Sequence, residues 1–150
     1  YDEARRNPDL IIESEPAPLA FDADGNLAFD LDNAPFSNMV LGEVLNYPGK
    51  WSSYPPHHHP QPEVYFYRFD RPQGFGAGFA DGEIYRSGHN GMAVIRHGFH
   101  SQTAAPGYAM CYAWGIRHLD GDPWLKTRID DKEHEWLWKP DANDHIYPNH

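Results

Sequence analysis

The chain has 150 residues, one domain's worth, of which 40% are hydrophobic and 23% charged, the profile of a globular protein with a core of its own. A formal net charge of −10 argues against a nucleic-acid footprint or an anionic membrane as partner, since both need a concentrated basic surface. The single cysteine, Cys111, excludes an internal disulfide framework, and no stretch is apolar and long enough to read as a membrane span.

Residues 1–35 are polar, punctuated by Pro8, Pro16, Pro18 and Pro35, with short apolar pieces between them. They read as an arm or edge strands, with Asp24-Gly25-Asn26 as a tight turn. The first residues, Tyr1-Asp2-Glu3-Ala4-Arg5-Arg6, lack an apolar signal core, so the expected location is cytoplasmic.

From Met39 onward the pattern is of strands. Residues 39–47 form a β-type run that stops at Pro48-Gly49, and residues 63–69, Glu-Val-Tyr-Phe-Tyr-Arg-Phe, alternate most clearly. Residues 75–79, 83–86, 92–96 and 108–116 follow, separated by Gly, Pro and Asp turns. Aromatic residues are 15% of the chain and favour pleated surfaces. Short strands at even spacing predict a closed or sandwiched all-β architecture. Residues 130–138 are expected to form one short helix with Asp130 as its cap, and the residues after it a loose tail. The division is thus one domain: arm 1–35, barrel core 36–138, tail 139–150.

The chemistry gathers at Pro55-Pro56-His57-His58-His59-Pro60-Gln61-Pro62-Glu63. In extended chain alternate side chains share a face, so His57 and His59 point together and His58 points away. The flanking prolines oppose helix. Glu63 shares a face with Tyr65, Tyr67 and Phe69. Two imidazoles and a carboxylate within seven residues suit a divalent ion, and His100, after the turn at Gly98, offers a fourth ligand. A solvated loop is the bland alternative for three consecutive histidines; Glu63 and the downstream His100 tip the balance to metal. His58, His89, His118, His134, His145 and His150 are expected to be exposed, and His97 to reach at most the rim. Tyr65 and Tyr67 would line or fill the barrel, Arg68 has the opposite parity, and Cys111 reads as inert.

Several blocks carry a family resemblance. Pro48-Gly49-Lys50-Trp51-Ser52-Ser53-Tyr54-Pro55-Pro56-His57-x-His59, then residues 63–69, Pro72-Gln73-Gly74-Phe75, Arg96-His97-Gly98-Phe99-His100 and Ala104-Ala105-Pro106-Gly107-Tyr108 resemble, in order, the 5-deoxyglucuronate isomerase family of inositol catabolism. Coverage runs from about Met39 to Leu137 and matches mainly the second half of that family's two-barrel chains. The loop between His59 and Glu63 is short for the family, and Ala-Trp-Gly-Ile-Arg follows Tyr112 where a different polar ending is usual. The resemblance implies an all-β, cupin-type (double-stranded β-helix or jelly-roll) barrel with His57, His59, Glu63 and His100 as metal ligands. It also implies an aldose–ketose isomerisation of a deoxy uronic acid. The expected cofactor is one divalent ion, zinc, manganese, iron or nickel, with zinc first because a related uronate isomerase binds it. The base stays open among Glu63, Tyr65, His97 and Lys50. The expected partner is a small-molecule sugar acid, with a homo-oligomer through edge strands as a further candidate. An iron or manganese oxygenase and a non-catalytic sugar- or metal-binding barrel are the rival readings.

Overall fold

A computed structural model describes residues 27–145. The arm before Leu27, with its expected turn at 24–26, and residues 146–150 lie outside the described residues. Ten strands run in chain order: β1 Leu27–Phe29, β2 Met39–Asn46, β3 Trp51–His58, β4 Glu63–Phe69, β5 Phe75–Ala80, β6 Glu83–Gly88, β7 Met92–Ile95, β8 His100–Ala104, β9 Met110–Arg117 and β10 Ile129–Asp130. They form two antiparallel five-stranded sheets, ordered β1-β2-β9-β4-β7 and β10-β3-β8-β5-β6. No helix among the described residues is long and apolar enough to cross a membrane.

Alternation builds the core. Glu63, Tyr65, Tyr67 and Phe69 of β4 are buried, whereas Val64, Phe66 and Arg68 face out. On the neighbouring β9, Met110, Tyr112, Trp114 and Ile116 are buried. The register sets Tyr65 opposite Trp114, Tyr67 opposite Tyr112 and Phe69 opposite Met110. Facing residues of an antiparallel pair share a side of the sheet, so these pairs stack as rungs inside the barrel. The tyrosine hydroxyls of this interior find partners, as burial requires. The Tyr67 hydroxyl donates to Gln102 Oε1 at 2.8 Å, and Tyr112 Oη lies 2.8 Å from Ser52 Oγ. Gly78 makes room for this network: a Cβ there would stand 2.0 Å from the Tyr85 ring, whose hydroxyl is 2.9 Å from that of Tyr67.

The C-terminal helix expectation needs correction. Ile129 and Asp130 are a strand paired with β3, and the only helical turn in the 130–138 span is a 3-10 turn, Glu135–Trp138. It starts without a side-chain cap. Asp130 does not cap because its carboxylate is engaged by Arg128 Nε and by Trp138 Nε1, the latter at 2.8 Å. Ala142–His145 forms a further 3-10 turn within the expected tail.

Candidate metal centre

One end of the barrel gathers the imidazoles. His57 near the end of β3 stands directly opposite His100 at the start of β8. Between Ser52 and His57 the register of β3 slips against β8, with Ser53 at φ 55°. Beyond β3, His59 is buried in the short connection to β4, where Glu63 starts the opposite sheet. The ligating atoms of His57, His59 and His100 lie within 4.8 Å of one another. Glu63 Oε2 is 3.3 Å from the Nε2 atoms of both His59 and His100. The middle histidine points elsewhere, its ring edge-on to Phe99 at 4.9 Å.

Tautomers decide what these atoms can do. His57 Nδ1 lies 3.2 Å from Ser53 O, His59 Nδ1 2.8 Å from Gln61 O, and His100 Nδ1 3.2 Å from Gly98 O. A carbonyl only accepts, so each Nδ1 carries a proton, and each ring in its neutral form presents a bare Nε2 lone pair. His100 Nε2 is buried without hydrogen-bond geometry to any group, despite its nearness to Glu63. In the neutral form, lone pairs and a carboxylate oxygen converge in a largely buried site. That is repulsive unless a proton or a cation sits among them. The donor set, neutral nitrogens plus one carboxylate, fits a borderline divalent ion, and backbone carbonyls holding the far nitrogens are the support such ligands need.

The carboxylate responds to positive charge at this spot: burial pushes the Glu63 carboxyl up, but His100 and His59, when protonated and donating to it, more than reverse that and hold it at about 2. Burial, with the nearby His100 and Arg128, holds the His57 imidazole well below its ordinary value, so that ring stays neutral. Tyr65 Oη donates to Glu63 Oε2 at 2.8 Å. Burial and the Glu63 charge push the Tyr65 hydroxyl well above its usual range, so it keeps its proton.

Two candidate bases are not brought to the site. Lys50 precedes β3 at the end where Trp51 pairs with Thr103, while the imidazoles occupy the other end of that strand. His97 is exposed and paired with Asp81 at 3.1 Å. Gly98, at φ +84°, turns the chain between them so that His100 faces in and His97 does not. His118, expected to be exposed, is buried: its Nδ1 accepts the backbone N–H of Trp124 at 3.0 Å.

Sequence reasoning missed two neighbours. Trp124 packs on His59 with ring centroids 6.3 Å apart and on Trp114 at 5.8 Å. Arg128 donates through Nη2 to Pro55 O at 2.7 Å and through Nε to Asp130, and lies over the Trp138 ring. The one legible signal for the second was Arg-x-Asp at strand spacing, which mirrors His-x-His.

Two antiparallel sheets closed around an aromatic interior, with three imidazoles at one mouth, define a cupin-type barrel. The chain belongs to the KduI/IolB family, whose model matches residues 26–137. It is 28% identical over 131 residues to the 5-deoxy-glucuronate isomerase of Shouchella clausii, and 29% over 123 residues to that of Bacillus subtilis. These alignments cover 75% and 71% of this chain but 45% and 44% of the relatives, so the chain spans about half their length. Among solved structures it resembles an IolB-like protein of Salmonella typhimurium, with TM-score 0.62 and 22% identity over 69% of this chain and 44% of that one. A cupin-like protein of Thermotoga maritima matches at TM-score 0.52 and 19% identity, over 73% of this chain and 79% of that one.

Proposed function

We propose that this barrel is a metal-dependent aldose–ketose isomerase acting on a deoxy uronic acid such as 5-deoxyglucuronate. The observation that carries the reading is the convergence of three imidazoles, each held by a carbonyl at Nδ1, with the Glu63 carboxylate 3.3 Å from two of them. The relatives named 5-deoxy-glucuronate isomerase supply the reaction class.

His57, His59, His100 and Glu63 would hold the ion, which when bound supplies Lewis-acid polarisation of the sugar carbonyl. The protein's own part is proton handling. Isomerisation removes a proton from the carbon beside the carbonyl, passes through an enediol, and returns a proton to the former carbonyl carbon, so no atom or electron is gained overall. Glu63 is the group we assign to this transfer. It is ionised at neutral pH, and all three of its described protein contacts fall on Oε2. Asp130, the other carboxylate near the imidazoles, is tied to Arg128 and Trp138. Tyr65 orients Glu63 by donating to it and, keeping its own proton, takes no part in the transfer. Acid–base transfer of this kind is worth about a hundred- to ten-thousand-fold in rate.

The test combines elemental analysis with proton NMR of 5-deoxyglucuronate in deuterated water. We expect about one divalent ion per chain and enzyme-dependent deuterium at the carbon next to the carbonyl. Metal and sugar bound with no exchange there would refute the isomerase and leave a non-catalytic binding barrel. Oxygen uptake with an iron-loaded sample would point to the oxygenase instead.

A further inference from the structure

Net charge −10 sets this barrel against an anionic substrate, and a metal ion that polarises a carbonyl does not by itself select a carboxylate elsewhere on the sugar. We infer that Arg128 is the anchor for the substrate's carboxylate, an assignment that rests on the uronate reading above.

The register places it. Asp130 pairs with His57 and Ile129 with His58, so Arg128 stands one step further along, across from His59. Directly opposed residues share a side of the sheet. Arg128 and Asp130 therefore belong to the face that carries His57 and His59, while Ile129 shares the outer face with His58 and is 47% exposed. Among the described lysines and arginines, Arg128 and Lys50 alone are not exposed, and Lys50 is at the far end of β3.

The side chain is immobilised. Nε is held by Asp130, Nη2 by the Pro55 carbonyl, and the plane lies 5.5 Å over the Trp138 ring. Asp130 is itself braced by Trp138 Nε1 at 2.8 Å. The Arg128 side chain keeps 14% of its surface exposed, so it is fixed without being sealed. Asp130 offsets its charge at long range but not the direction of its remaining N–H donors. A planar guanidinium held this way is pre-organised to meet a carboxylate with little ordering cost. A purely structural clamp would use the same three contacts, so the experiment must separate support from recognition.

Calorimetric titration of zinc-loaded protein with D-glucuronate and with its uncharged amide does so, run on wild type, Arg128→Gln and Arg128→Lys. Gln keeps an N–H donor for the Pro55 carbonyl without the charge. We expect wild type to prefer the acid at least about tenfold, the range of a charge-assisted pair. Arg128→Gln should bind acid and amide within about twofold of each other at unchanged zinc content, and Arg128→Lys should recover part of the preference. The inference is overturned if Arg128→Gln keeps the preference, or if it loses zinc and amide binding together with acid binding. Equal affinity for the two sugars in wild type, or none for either, overturns it as well. Should Arg128→Gln fail to fold, Asp130→Asn decides: it frees the guanidinium while keeping its charge, and an unchanged preference there refutes a fixed anchor. The isomerase reading fails on a different result, absence of 5-deoxyglucuronate turnover in wild type.

Discussion

Replacing Tyr65 with Phe removes one hydroxyl from a buried site and leaves the ring in place against Tyr112, 5.1 Å away, and Tyr67, 6.1 Å away. The lost bond is the 2.8 Å donation to Glu63 Oε2, from a residue 1% exposed to an ionised acceptor. Hydrogen bonds to charged groups contribute about 1.5–3 kcal/mol, and no cavity larger than an oxygen opens to add to it. About 2 kcal/mol corresponds to a fall of roughly 4–8 °C in Tm for a domain of this size. The second effect is on the ion. A carboxylate ligand freed from its orienting donor should weaken metal binding about ten- to hundredfold. Scanning calorimetry of the metal-free protein reads the first quantity, and competition for zinc with a chromophoric chelator reads the second. A Tm within about 1 °C of wild type, with zinc affinity unchanged within about twofold, would refute the role given to this hydroxyl.

His59→Ala should lose the bound ion by elemental analysis, while His58→Ala, whose ring packs on Phe99, should keep it; equal losses would contradict the geometry. Chelator dialysis should lower the wild-type Tm and zinc should restore it, whereas His59→Ala should respond to neither, because only the folded state offers the assembled ligands. Acid should destabilise the metal-free protein through His57. Its imidazole is held well below 6.5, so between the two values the unfolded chain binds a proton that the folded chain refuses, and stability falls as pH drops. Urea midpoints between about pH 7 and about pH 5 should therefore decline less in His57→Gln than in wild type.

Local alternation made much of this legible. Period two along residues 63–69 predicts the buried face of β4, and the same period separates His57 and His59 from His58. The return of His100 beside them was readable from the strand-turn-His segment, because Gly98 supplies the positive φ that such a turn needs. What was not legible depends on pairing between distant segments. Lys50 looked near the mouth in sequence, yet β3 is long enough to carry it to the opposite end. Strand β10 is only Ile129 and Asp130, with Arg128 before it, and has no apolar period to announce it; it exists because β3 offers an edge. His118 is buried where the Trp124 backbone folds back to donate to it, a contact within a loop that has no periodicity at all.

The proposed ligands do not come from one layer. His57 and His100 belong to one sheet, Glu63 begins a strand of the other, and His59 sits in the crossing between them. An ion there would act as a rivet through the seam of the sandwich, and at one end only. Withdrawing it should let that mouth gape while the Tyr67–Gln102 and Tyr112–Ser52 bonds, drawn between the same two sheets deeper inside, keep the far end shut. The barrel would then breathe like a purse rather than fall open like a book.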